Sequence, residues 1–154
     1  QRVWTQGEFP RKRSKRISVP IAGLVADANV LLSAVIGKAA LRVLRDFAIP
    51  IHTTRFNYLE VQEYLPRLAG KYNVALPLAE LQLTLLPLAI YPEEAYADWL
   101  PWARRLLAAR DPEDAHALAL ARSLGLPLWS NDRDLQLPQV HCYTTAALLK
   151  ALES

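Results

Sequence analysis

Gly23-Leu-Val-Ala-Asp27-Ala-Asn29-Val-Leu-Leu32 begins as an apolar run and stops on a carboxylate. Charged side chains are seldom set at the end of a buried strand unless they are paired or hold a cation. Residues 24–28 therefore read as a short strand with Asp27 at its mouth; the plainer alternative is a turn-capping aspartate. Asn29, two residues on, has a similar pair of readings, bonding either Asp27 or the loop backbone. Outward from this stretch the pattern alternates. Residues 33–48 have helical spacing, with Val35, Ala39, Val43 and Phe47 on one side. Residues 49–53 read as a second strand and 56–69 as a helix ending at Gly70, striped by Tyr58, Val61, Leu65 and Leu68. Pro77 opens a helix to Leu86, residues 88–91 form a third strand, and 93–110 a long helix with Pro101 as a kink or break. Asp111-Pro112 is a strong helix start, N-cap followed by proline, for a helix that stops at Gly125. Residues 126–129 and 140–143 supply two more strands, and Thr144 or Thr145 caps a final helix. Strands alternating with helices predict a parallel sheet covered on both faces.

The 154 residues are enough to bury a sizeable core. With 52% hydrophobic and 21% charged residues the composition is that of a globular chain and excludes a disordered one. The simplest division is a basic arm over residues 1–20 and one domain over 21–154. The arm sets six Lys and Arg residues against Glu8, so the remainder of a chain at +3 is slightly acidic. Arg11, Lys12, Arg13, Lys15 and Arg16, with Trp4 and Phe9 for base stacking, read as a nucleic-acid handle or as a solvated tail. Arg133, beside Asp132, is the best-sited phosphate contact outside the arm. The longest apolar stretch, 76–90, is broken by Pro77, Glu80, Gln82, Thr84 and Pro87, so no membrane span is expected. No apolar signal core follows the basic residues. The single cysteine, Cys142, forbids an intrachain disulfide and suits a reducing compartment, which makes the cytoplasm the expected location. A chain that opens on Gln1 and lacks methionine reads as a trimmed product.

Further acids stand at element ends. Asp111 is well explained as an N-cap with Asp114 three residues on, a variant of the capping box. The helix dipole favours an anion there but does not require two, so Asp114 asks for more. On the second helix either Glu60 or Glu63 can project usefully, and spacing alone does not separate them. Asp132 leaves the fourth strand in Ser130-Asn131-Asp132-Arg133-Asp134 much as Asp27 leaves the first. Asp134 is weaker, as a cap for the turn around Leu135, and Ser130 either orients a carboxylate or water, or finishes the strand.

In combination and order these blocks resemble the PIN-domain family of nucleases, in particular the VapC-like toxin components of toxin–antitoxin pairs. The residues that carry the likeness are Val25-Ala-Asp27-Ala-Asn29-Val-Leu-Leu-Ser-Ala34, Tyr58-Leu-Glu60-Val61, Arg110-Asp111-Pro-Glu-Asp114-Ala-His-Ala-Leu-Ala-Leu-Ala121 and Leu128-Trp-Ser-Asn-Asp132-Arg-Asp134-Leu135. The likeness runs over residues 25–152. It implies a three-layer α/β/α sandwich around a parallel sheet of four or five strands, with an acidic site for Mg²⁺ or Mn²⁺. Position by position it assigns the site acids to Asp27, Glu60, Asp114 and Asp132, with Asn29 and Asp111 as frequent neighbours. Where the family often has Thr-Gly-Asp, this chain has Ser130-Asn131-Asp132. Serine keeps the hydroxyl, and asparagine tolerates the left-handed backbone that glycine would supply. The likeness further implies RNA cleavage to 5′-phosphate and 3′-hydroxyl ends, and an antitoxin partner covering the site.

Elementary electrostatics agrees with a cation. Two unit charges ~6 Å apart repel by roughly 3 kcal/mol at an effective dielectric of 20, so four gathered carboxylates cost on the order of 10 kcal/mol. Protonation relieves part of that, and a divalent cation relieves it without giving up the charges. All-oxygen ligation favours Mg²⁺ or Mn²⁺ over Zn²⁺, and His52, His116 and His141 have no paired zinc spacing. The expected function is a metal-dependent endoribonuclease, the toxin of a toxin–antitoxin pair. The competing expectation is a non-catalytic PIN-like module that binds nucleic acid or protein. A phosphatase with an Asp nucleophile would want a second aspartate where Asn29 stands, and no glycine-rich turn follows the first strand for a dinucleotide. Trp99 and Trp102 serve either a homodimer contact or the core.

Overall fold

Alternate residues of the first strand feed opposite layers, and that sets the architecture. In the computed structural model, which describes residues 20–108 and 110–154, β1 (Leu24–Ala26) is fully buried. Leu24 and Ala26 join one core cluster, Val25 the other, as the two-residue period of a strand requires. The other strands are β2 (Ile51–Thr54), β3 (Leu88–Tyr91), β4 (Leu128–Trp129) and β5 (Cys142–Tyr143). All pair in parallel, in the order β3-β2-β1-β4-β5. One layer packs α1 (Ala28–Val35), α2 (Ala39–Asp46), α3 (Arg55–Lys71), α4 (Leu76–Leu85) and α7 (Thr145–Glu153) on the sheet. The other packs α5 (Leu100–Leu106) and α6 (Ala115–Leu124). This is the α/β/α sandwich with a five-stranded parallel sheet. Chain order runs outward from β1 through β2 to β3 on one side, and through β4 to β5 on the other. The crevice at such a switch point, outside the carboxyl ends of β1 and β4, is where open α/β sheets bind ligands.

Several helix boundaries differ from expectation, each for a local reason. The helix expected over 33–48 starts at Ala28, because Asp27 caps it directly. It breaks at Gly37, whose φ of 81° ends α1 before α2 begins. Gly70 does not stop α3, which runs on to Lys71 and turns at Asn73 with φ 59°. The segment 93–110 is two 3₁₀ turns followed by α5, and Pro101 sits in the first turn of α5, where its missing N–H costs nothing, so of the two readings it marks a break and not a kink. Asp111-Pro112 likewise opens a 3₁₀ turn, Pro112–Asp114, before α6 begins. Thr144 caps α7, its hydroxyl oxygen accepting from the Ala147 N–H at 3.1 Å. Trp99 and Trp102 are half-buried against the α5–α6 cluster, edge to face with ring centres 6.0 Å apart. Among the described residues no helix is long and apolar enough to cross a membrane. The arm cations Arg11, Lys12, Arg13, Lys15 and Arg16 lie outside the described residues.

Candidate active site

Asp27 does two jobs at once. Its Oδ1 accepts from the Val30 N–H at 2.9 Å, capping α1, and its Oδ2 accepts from the Ser130 hydroxyl. Only 4% of the residue is exposed. Burial pushes its carboxyl above the ordinary range, opposed by the bonds from Ser130 and Val30 and reinforced by the charge of Asp132. Ser130, itself fully buried, also accepts from the Asp132 N–H at 3.0 Å. One hydroxyl therefore ties the mouth of β1 to that of β4. The same carboxylate thus caps α1 and forms part of the cavity wall.

Asp132 caps the 3₁₀ turn Arg133–Leu135, accepting from the Asp134 N–H at 2.9 Å. Across from it, Asp114 sits where its turn passes into α6. Burial first, then the adjoining Asp132 carboxyl, push Asp114 up to about 8; the charges of Asp111 and Asp27 add to this. Two ionised carboxylates have no proton to share, and Oδ2 of Asp114 is buried without a hydrogen-bond partner. Protonating one of the pair supplies a hydrogen-bond donor, and a cation in place of the proton satisfies both oxygens by coordination.

Glu60 projects from α3 on the opposite wall. Burial raises it to about 7, with the neighbouring Glu113 carboxyl next and the Asn57 amide opposing. Asn57 is buried and fixed at the start of α3. Its N–H donates to the Thr54 hydroxyl oxygen at 2.9 Å, and its Oδ1 accepts from that hydroxyl at 2.7 Å. That leaves Nδ2 to donate to Glu60 Oε1 at 3.4 Å. Glu63 is exposed and off the crevice, so the tie between the two glutamates is broken by the fold.

Asp27, Glu60, Asp114 and Asp132 line one cavity of about 310 Å³, together with Asn29 and Asp111. That volume is at the lower end of small-ligand pockets, about 300–1,000 Å³. Ser130 stands behind the wall, bonded to Asp27. Asp134 does not join the lining; its carboxylate faces Arg110 at 3.7 Å. Arg133 is exposed and also outside the lining. Asn131 has no left-handed backbone, so its tolerance of one is not called on. Its amide instead tethers the loop to α7, accepting from the Thr145 N–H at 2.8 Å and donating to the Thr145 hydroxyl oxygen at 3.1 Å. Three polar lining residues escaped the reading of the sequence: Glu113, Asn57 and Tyr64. Only Glu113 carried a signal, as the middle of Pro112-Glu-Asp114.

Among the described residues no three His, Cys, Asp or Glu side chains close into a ready metal cage. Mg²⁺ does not need one, since it keeps several of its waters and takes one or two carboxylates. Paired acids at the mouths of β1 and β4, an orphaned buried oxygen on Asp114 and an all-oxygen donor set fit such an ion. Zinc fits poorly. His52 bonds the Tyr91 hydroxyl at 2.9 Å and His116 the Tyr96 hydroxyl at 2.8 Å, and no histidine lines the cavity.

A family model described as PIN domain matches residues 25–153. Among solved structures, a chain from a toxin–antitoxin complex of Klebsiella pneumoniae superposes with a TM-score of 0.60 at 20% identity, covering 80% of this chain and 98% of that one. At that identity the likeness is one of fold. No curated protein sequence matches the chain.

Proposed function

The chain belongs to the PIN-domain family, and on that premise we propose that it is a metal-dependent endoribonuclease, the toxin component of a toxin–antitoxin pair. The observation that carries this reading is the convergence of Asp27, Glu60, Asp114 and Asp132 on one cavity at the sheet's switch point. Asp27 and Asp132, joined through Ser130, would hold Mg²⁺ or Mn²⁺, with the unpartnered Asp114 oxygen as a further ligand. A divalent cation bound there offsets phosphodiester charge and eases deprotonation of the attacking water. Glu60, steadied by Asn57, orients that water and receives its proton. The buried Ser130 hydroxyl keeps the Asp27 carboxylate turned toward the crevice. The fold likeness to a chain of a toxin–antitoxin complex supports an antitoxin partner, and the acidic mouth is the surface such a partner would cover. A cytoplasmic site of action goes with an RNA substrate.

Incubation with a defined RNA panel in Mg²⁺, Mn²⁺ or chelator, followed by mapping of the cut ends, tests the reading. Cleavage is expected with either metal, to 5′-phosphate and 3′-hydroxyl ends, and not in chelator. Wild-type cutting by Asp27→Asn, or cutting in chelator, would overturn it. The second reading, a non-catalytic module, draws on the lack of a closed three-residue cage among the described residues. Titration with Mn²⁺ separates the two: a module that binds none, and cuts nothing, is the binding protein.

A further inference from the structure

An acidic cavity repels the polyanion it is to cut, so the phosphates must be held from beside it. α3 carries a suitable surface. Glu60, Tyr64, Arg67 and Lys71 are spaced four, three and four residues apart, which sets them along one face of the helix, leading away from the cavity. Tyr64 lines the cavity rim and is 47% exposed. The Arg67 guanidinium lies over its ring, 5.2 Å from the centroid. At the end of the helix the exposed Tyr72 ring has Lys38 Nζ at 4.9 Å and Lys71 Nζ at 5.5 Å. Lys38 also donates to the Tyr72 hydroxyl at 3.3 Å. Among the described residues Arg67, Lys71 and Lys38 make no salt bridge. Two rings, each with a cation against its face, are thus set along α3 within roughly 18 Å of Glu60, at 1.5 Å per residue.

Aromatic faces that stack bases, interleaved with cations for phosphates, are how single strands are held without reading sequence. Bases inside a duplex are stacked on each other and offer no face to such rings. We propose that the exposed face of α3 is a track for unpaired RNA, in which Tyr64 stacks on the base next to the scissile phosphate, Arg67 and Lys71 hold the phosphates that follow, and Tyr72 with Lys38 forms a second stacking step. This rests on the nuclease reading for its direction, toward Glu60, and adds to it the surface outside the cavity that holds the strand and the residues that form it.

The test measures binding in Ca²⁺, apart from cleavage, using oligoadenylate and the same strand annealed to oligouridylate. Wild type should prefer the single strand. Tyr64→Ala should weaken single-strand binding about ten-fold, while Tyr64→Phe, which keeps the ring, should restore it. Arg67→Glu and Lys71→Glu should each lower the slope of log affinity against log salt by about one. All three positions are exposed, and at Tyr64 a loss of fold would not explain a deficit that phenylalanine repairs. Equal affinity of Tyr64→Ala and wild type, or equal binding of single strand and duplex, would overturn the track. RNA cut with Asp27 dependence while Tyr64→Ala binds normally would sink the track alone; Tyr64-dependent binding without cutting in Mg²⁺ or Mn²⁺ would sink the nuclease reading alone.

Discussion

Asp27 shows how one side chain can be asked for two things with different chemical demands. The cap needs only an oxygen acceptor, which asparagine also offers; the crevice needs charge. Asp27→Asn should therefore abolish cleavage while leaving thermal stability of the metal-free protein unchanged or raised, because a buried charge is removed. Asp27→Ala loses the cap as well and should cost about 1 kcal/mol or more in denaturant unfolding. Ser130→Ala is the companion experiment. It removes the donor that faces Asp27 and the acceptor for the Asp132 N–H, and should lower Mn²⁺ affinity in a calorimetric titration. Affinity equal to wild type would show that the hydroxyl does not organise the two mouths.

Elements here are set by their ends more than by their middles. α6 stops at Gly125, with φ of 67° and no atom within 4 Å of where a Cβ would sit. Gly125→Ala meets no clash, so its cost is purely that of the left-handed backbone, about 1 kcal/mol. A shift of the urea midpoint with the slope unchanged is the expected result. Gly37, with φ of 81° and equally open surroundings, separates α1 from α2, and alanine there should behave alike. Proline acts at the other end: Pro101 and Pro112 open their turns, where the absent N–H would have had no partner. The same reasoning accounts for the expected single helices over 33–48 and 93–110 being broken, since apolar spacing carries on across a left-handed residue or a 3₁₀ turn.

Across the whole molecule the acids couple stability to pH and to metal. Glu60 at about 7 and Asp114 at about 8 stand above ordinary carboxyls, both chiefly through burial. Between the ordinary range, about 4, and these values, the folded chain binds more protons than the unfolded one, so stability falls as pH rises. In chelator the melting temperature should drop from about pH 5 to pH 8 and level off above both values. Mg²⁺ should raise it more at pH 8 than at pH 5, releasing protons as it binds. A melting temperature that climbs over this interval in chelator would contradict the assigned burial of the two carboxyls.

Alternation of apolar runs with helical spacing was sufficient to specify a parallel sheet between two helical layers, because periodicity records which faces must leave water. Asp27 and Asp132 were legible for the same reason, as charges at the ends of buried strands. The strand order, and with it the crevice between β1 and β4, is a matter of long-range pairing that no local spacing encodes. Hence only the folded chain distinguishes Glu60 from Glu63, turns Asp134 toward Arg110, and brings Glu113, Asn57 and Tyr64 to the same cavity. The rotation of α3 against the sheet and the placement of the 3₁₀ turns Pro112–Asp114 and Arg133–Leu135 make those choices, and both are fixed by packing summed over many distant residues.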